Sequence, residues 1–254
     1  MSSTTKRSCF IGIHKAPPNL SREEFEAKAG AVADAIVALP VVQKNLLKLE
    51  MITQNTLMDK HMNVFGLPEP APTVVMSFEY ESLENLDEML KDPTLQKVFE
   101  ESDDFGFRKY ATAFAADVFT KVEAPGVTAG VTVIAIFACP PQFSVDQLGQ
   151  KFGELMDKIA AQPTPSPLSH YSLWLQNDAV DKHLQALGYP APKPLIVARA
   201  ESEHLDHMKE ICEHSEVLRL AKETVQEFGY HRDSDNPAES CCFSADVVTK
   251  ISNY

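Results

Sequence analysis

The chain has 254 residues, 44% hydrophobic and 23% charged, with a formal net charge of −13. Residues 1–127 carry −6 (13 basic, 19 acidic) and residues 128–254 carry −7 (10 basic, 17 acidic), so neither half offers the basic patch that nucleic acid or an anionic membrane surface requires. No run approaches the roughly 20 apolar residues that span a bilayer, residues 1–7 do not lead into a signal peptide, and five cysteines without CxxC spacing read as reduced thiols, so a cytoplasmic protein is expected.

Residues 9–15 alternate as an apolar strand that Pro17-Pro18 ends. Ser21 and Glu24 form a capping box, in which hydroxyl and carboxylate satisfy free N–H groups at a helix start. Phe25, Ala29, Val32, Ala33 and Ile36 follow as one apolar face at helical spacing. Pro40 is read as closing this region. Residues 46–54 form a second strand, and residues 73–80, rich in Val, Phe and Tyr, a third. Residues 82–99 are helical in one or two pieces, with Pro93 at a first helical position. Residues 111–122 are a fourth strand, and 123–128 are a linker.

The order then repeats. Strands are expected at 131–138, 168–176, 195–200 and 241–251. Ser144 and Gln147 form a second capping box, ahead of a buried helix face of Leu148, Phe152, Leu155, Met156 and Ile159. Residues 162–167 are a Pro-rich loop. Helices at 202–212 and 215–228 precede the last strand.

Residues 54–68 and 176–190 align without a gap at an offset of 176 − 54 = 122, with 7 of 15 positions identical. Each copy reads as a strand end, a short helix, a Gly that stops it and a Pro that prevents restart. Residues 13–21 match 136–144 at an offset of 123, and 114–121 match 243–250 at 129. Glu81-Ser82 is matched to Glu201-Ser202 at 120, after which Leu86 and Met89 fall on Leu205 and Met208 at 119. A period this long means tandem modules, not a solenoid: residues 1–122, the linker 123–128, and residues 129–254. Each module has the order β-α-β-(short α)-β-α-β, the ferredoxin-like pattern of a four-stranded antiparallel sheet with helices on one face. Two such sheets cover their bare faces by packing together. The expected fold is therefore α+β, two tandem ferredoxin-like modules packed sheet to sheet as a barrel within one chain.

The Pro-Pro-x-x-Ser helix starts, the two Asp-Lys-His-x4-Gly-x-Pro segments and the closing Ala-Asp-Val-x-Thr-Lys strands resemble the dimeric α-β barrel superfamily. Within it, the chain resembles the fungal tandem branch related to EthD-domain and stress-responsive barrel proteins. The resemblance spans nearly the whole chain and is specific for fold. Proteins of this kind include polyketide cyclases, small cofactor-free monooxygenases, haem-dependent enzymes and proteins with no known activity, so fold does not settle chemistry. The resemblance implies a ligand pocket between sheet and helices and, in catalytic relatives, a His on the first strand. His14 matches that placement. Its counterpart is Phe137, so the two pockets cannot be chemically equivalent.

His14 alternates with Phe10 and Gly12 on one strand face. One reading is a general acid/base in an apolar pocket; the other is a core histidine with a satisfied hydrogen bond. His170, Ser172, Trp174 and Gln176 share a face of a later strand. A His beside the only Trp suggests a polar group in an aromatic pocket, against a packing tryptophan and a strand-end histidine. Tyr80 is read as the hydroxyl that orients a ligand, Phe10, Phe78 and Phe114 as walls and Trp174 as substrate-binding, each with plain packing as its alternative. Lys48 and Glu50 either function on a sheet face or pair with charges in the barrel. His61, His183, Asp59, Asp181, Asp117 and Asp246 recur in both copies and read as structural. His204, His207, Cys212 and His214 lack a second pair at zinc-like spacing, so no metal is expected.

Together these readings describe an enzyme that needs no cofactor and acts by proton transfer (cyclisation, isomerisation or decarboxylation). The resemblance supplies its substrate class, a small aromatic or polyketide-like metabolite. The catalytic candidates are His14, Tyr80 and His170. The alternatives are a non-enzymatic stress-related protein that binds an apolar small molecule, and a haem-binding barrel with His14 or His170 on the iron. Partners are limited to the small molecule and, at most, a second copy of the chain.

Overall fold

A computed structural model describes residues 5–124, 126, 129–161, 168–230 and 240–253. The Pro-rich loop at 162–167 and linker residues 125, 127 and 128 lie outside the described residues. Among the described residues eight strands form: β1 (Thr5–Lys15), β2 (Leu46–Gln54), β3 (Thr73–Tyr80), β4 (Ala111–Glu123), β5 (Val131–Ala138), β6 (His170–Asn177), β7 (Leu195–Ser202) and β8 (Cys241–Ser252). They close into one antiparallel barrel in the order β1-β3-β2-β8-β5-β7-β6-β4, with β4 returning to β1. The two halves meet along strand edges, β2 on β8 (Thr53↔Asp246) and β4 on β6 (Asp117↔Leu175). Closure pairs both edges of every strand, which removes the exposed ladder that otherwise invites aggregation.

The helices are α1 (Arg22–Val37), α2 (Pro40–Asn45), α3 (Asp59–Met62), α4 (Leu83–Lys91), α5 (Pro93–Glu101), α6 (Val145–Ala160), α7 (Asp181–Ala186), α8 (Leu205–Glu213) and α9 (Ser215–Phe228). No described helix is long and apolar enough to cross a membrane. Both capping boxes form. Ser21 Oγ accepts from Glu24 N at 3.2 Å and Ser144 Oγ from Gln147 N at 3.2 Å, each with the reciprocal bond. Pro40 opens α2 instead of closing the helical region, because its fixed φ suits a first helical turn and its missing N–H is not needed there.

Strand alternation sorts side chains between two cores. Ile11, Ile13, Ile52, Val75, Phe114, Ile134, Trp174, Val197 and Phe243 meet inside the barrel, in a cluster made only of strand residues. Phe10, Leu49, Met76 and Phe78 face outward and meet Phe25, Ile36, Leu86 and Phe99 of the helices. Burying a side chain of this size stabilises by about 1.5–3 kcal/mol.

The strand register corrects one alignment. Gln54 Oε1 accepts from Thr73 N at 3.1 Å and Gln176 Oε1 from Leu195 N at 3.0 Å, so Thr73 corresponds to Leu195, at 195 − 73 = 122. Phe10↔Phe78 likewise corresponds to Val133↔Ala200. Helices α4 and α8 begin at 205 − 83 = 122. The offset is therefore 122 throughout this region, not 120 and then 119. The Glu-Ser match was coincidental: Ser82 caps α4, whereas Ser202 is the last residue of β7.

The repeated Asp-Lys-His segments are exchanged between the halves. Met58 and Met62 of the first copy pack with Val131, Val133, Met208 and Cys212 of the second half. Val180, Leu184 and Tyr189 of the second copy pack into the first-half core. His61 Nδ1 lies 2.9 Å from Glu213 Oε1, and His183 Nε2 lies 3.0 Å from Asp87 Oδ1. Each segment is thus a cover for the other half's helix–sheet layer.

Candidate ligand cavity

The two layers under these covers are filled differently. Equivalent positions follow from the register: Phe78 corresponds to Ala200, Phe10 to Val133 and, at 221 − 99 = 122, Phe99 to Ala221. On the covers, Tyr189 corresponds to Leu67, at 189 − 67 = 122. The exchanges Ala29/Phe152 and Leu49/Tyr171 run the other way, but do not restore the lost volume. The second half keeps a cavity of about 150 Å³ between the sheet and α6, α8 and α9, bordered by Val133, Ala200, Tyr171 and Ala221 and flanked by Met62, Phe65 and Leu67 of the cover. Leu155, Met156 and Ile159 of α6 line this space, which is why they are only half-buried despite their place on the expected buried face.

In the first half, Phe10, His14, Phe78 and Tyr80 are at most 4% exposed, and none of the cavities described is lined by them. Phe10 and Phe78 rings pack at 5.3 Å. The His14 ring lies over Gly12, where a Cβ would stand 2.6 Å from Nε2, and stacks on Phe107 at 3.7 Å and 11°. The room beside Gly12 is therefore taken by the histidine itself. His14 Nδ1 donates to Phe107 O at 3.2 Å. Burial lowers the His14 pKa to about 4, and the bond to Phe107 opposes this only in part.

Tyr80 has a buried hydroxyl with no partner among the described residues, and burial pushes its pKa up to about 12. It sits six residues along β3 from Val74, the partner of His14, so roughly 20 Å separates the two at 3.4 Å per residue. His170 faces the barrel interior. Its Nε2 is 3.1 Å from Ser172 Oγ, which also accepts from Trp174 Nε1 at 3.1 Å. Burial lowers the His170 pKa against the opposing pull of Glu201. The structure does not bring the three catalytic candidates together. Phe114 and Trp174 belong to the interior core, so neither walls a space shared with Phe10 and Phe78: Phe10 pairs with Ala115, and Phe114 with Ile11.

Lys48 and Glu50 join a charge cluster inside the barrel. Arg199 Nη1 lies 2.6 Å from Glu50 Oε2, a second guanidinium nitrogen 2.6 Å from Glu201 Oε1, and Lys48 Nζ 2.7 Å from Glu50 Oε1. Burial would raise the Glu50 pKa, but Arg199 and Lys48 outweigh it and hold it at about 2. Neither His14 nor His170 fits the haem alternative. The His14 ring stacks on Phe107 with Nδ1 engaged and Gly12 close against Nε2, and His170 Nε2 is held by Ser172. Among the described residues no three His, Cys, Asp or Glu side chains gather as a metal site.

The sequence reading missed the lining because it searched for chemistry-bearing side chains. The signal was the reverse: aromatic residues of one repeat replaced by alanine in the other.

No protein-family model matches the chain, and no curated protein matches it. Among solved structures, an anthrone oxidase-like protein superposes with a TM-score of 0.55 at 9% identity, covering 98% of this chain and 96% of that one. A candidate monooxygenase of Fusobacterium nucleatum superposes with a TM-score of 0.51 at 9% identity, covering 98% and 94%. Likeness at this identity is a likeness of fold.

Proposed function

We propose that the chain binds a small apolar molecule in the second-half cavity, under the cover carried by the first half. The observation that carries this reading is the asymmetry itself. At equivalent positions of the two halves, aromatic side chains plug the first while Val133, Ala200 and Ala221 leave the second open. A cavity of about 150 Å³ with an apolar lining is large enough for a single benzene-sized ring. The names of the two structural neighbours, an anthrone oxidase-like protein and a candidate monooxygenase, support an enzyme-like barrel for small molecules. The narrower EthD-like and stress-responsive resemblance, and the division into ferredoxin-like modules at 1–122 and 129–254, belong to the same reading. Support for the modules is the matching strand order of the two halves and their matching capping boxes.

Toluene and ethylbenzene titrated into the protein test it. Saturable binding and a raised melting temperature are expected, by about 2.7 kcal/mol of stabilisation at a hundredfold excess over Kd. Ala200→Phe, which copies Phe78, should abolish both. Binding that survives Ala200→Phe would place the ligand elsewhere.

A second reading is proton transfer on the same class of molecule with His14 as base. It draws on one observation, an imidazole kept neutral at pH 7 and therefore able to accept a proton. It requires Phe107 to swing off the ring, and a proton-transfer assay with His14→Gln tests it: general-base loss lowers turnover by roughly 10²–10⁴-fold.

A further inference from the structure

The cavity lining is hydrocarbon apart from a few groups, and most of those are engaged. Thr224 Oγ1 donates to Leu220 O at 2.9 Å, and Cys242 Sγ contacts Met62 Sδ at 3.3 Å. Tyr171 differs. It sits opposite Ala200 on the β6–β7 ladder, is 2% exposed, and its hydroxyl has no partner among the described residues. Two further buried hydroxyls lie beside it in the same condition: Ser169, two residues earlier, and Ser202, two residues beyond Ala200. A buried, unpaired hydroxyl is costly to keep, and the first-half counterpart of Tyr171, Leu49, carries none. Among the described residues no Lys, Arg, Asp or Glu lines the cavity, so an ionised ligand would enter uncompensated.

We propose that Tyr171 selects the ligand, and that the site takes a neutral, one-ring apolar molecule whose carbonyl oxygen accepts a hydrogen bond from the Tyr171 hydroxyl. The proposal rests on the cavity reading above. Burial keeps the phenol protonated, so it is a donor at any physiological pH. The hydroxyl oxygen is itself buried away from the cavity, so the Tyr171 ring turns toward the ligand for the carbonyl to replace the missing partner, with the ligand's ring beside Ala200 and Ala221.

The test uses two ligands of one shape, acetophenone and α-methylstyrene, in which a carbonyl oxygen is exchanged for a methylene. Both are titrated calorimetrically into the natural protein, Tyr171→Phe and Tyr171→Leu. Transfer from water favours the hydrocarbon in every protein, so the readout is how the ratio of affinities changes. Tyr171→Phe should weaken acetophenone roughly two- to tenfold and leave α-methylstyrene within about twofold. Tyr171→Leu, which copies Leu49, should shift the ratio in the same direction and covers the case in which the phenylalanine variant does not fold. Equal changes for both ligands, or acetophenone binding untouched by either variant, would overturn the role of Tyr171 while leaving the cavity in place. Failure of both ligands to bind the natural protein would overturn the cavity reading and this proposal with it.

Discussion

Leu67 and Tyr189 hold the same place on the two exchanged covers, yet Leu67 borders an open cavity while Tyr189 lies edge-on to Phe99, with ring centroids 6.0 Å apart at 84°. The difference should appear in stability. Phe99→Ala removes a ring from a filled layer and should cost about 3–5 kcal/mol. Ala221→Phe at the equivalent site adds a ring where space exists and should cost less than about 1 kcal/mol, or stabilise. Urea unfolding of both variants measures this. Equal destabilisation would mean that the second half is as tightly packed as the first.

His14 gives the chain an acid-sensitive step above the range of the carboxylates. Its folded pKa is about 4 against an ordinary value of 6.5, because burial disfavours the imidazolium. Between these values the unfolded chain binds more protons than the folded one, so stability rises with pH across the window. Read downward, stability is full above pH 6.5 and is lost as pH falls to about 4. The loss approaches about 3 kcal/mol, from 1.36 kcal/mol per pKa unit. His14→Phe, which copies Phe137, should flatten the pH dependence between 6.5 and 4. A slope there that is unchanged in the variant would mean that His14 is protonated in the folded protein.

Much of the frame was legible in the sequence, for reasons of local physics. Ser21 with Glu24 and Ser144 with Gln147 announce helix starts through hydrogen bonds that reach only three residues, and β3 is bounded by turn-forming residues on both sides. The side each strand residue faces was legible only in relative terms. Alternation groups His170 with Trp174 correctly, but cannot say whether their common face looks into the barrel or toward helices. Phe114 was misplaced because its neighbour Ala115, not Phe114, continues the outward face of Phe10. The exchange of the covers was not legible at all. Nothing local in Asp59-Lys60-His61 specifies that His61 meets Glu213, more than 150 residues away in sequence.

The two helix starts that follow α4 and α8 are unequal. Asp92 caps α5, its Oδ1 accepting from Thr94 N at 2.8 Å and Leu95 N at 3.2 Å. His214 holds the same position before α9, at 214 − 92 = 122, and makes no side-chain cap bond. Asp92→Ala should destabilise by about 0.5–2 kcal/mol. His214→Asp should stabilise by up to about 1 kcal/mol, because a carboxylate there both accepts N–H bonds and sits at the positive end of the helix. Thermal unfolding of both variants measures the effect. A destabilised His214→Asp would show that the imidazole contributes packing that outweighs the cap.

The charge cluster inside the barrel should set acid stability below the range of His14. Glu50 is 6% exposed and shares Arg199 with Glu201. Burial acts to raise its pKa, but Arg199 and Lys48 reverse the balance and hold it at about 2, below the ordinary 4.5. A depressed folded pKa means that the stabilisation is present above pH 4.5 and is lost as pH falls toward 2. The span of about 2.5 units corresponds to about 3 kcal/mol. Arg199→Met removes the cation and leaves two buried carboxylates with Lys48 as the nearest counter-charge, so it should cost about 3–5 kcal/mol at pH 7. Its pH dependence should also weaken: protonation of Glu50 relieves repulsion in the variant, so acidification from pH 5 to 3 should destabilise it less than the natural protein. The double variant Glu50→Leu with Arg199→Met should recover much of the loss, since a packed hydrocarbon pair needs no counter-charge. Urea unfolding at pH 7, 5 and 3 separates these cases. If Arg199→Met costs less than 1 kcal/mol and keeps the natural acid slope, the Glu50–Arg199 pair is not what holds Glu50 ionised.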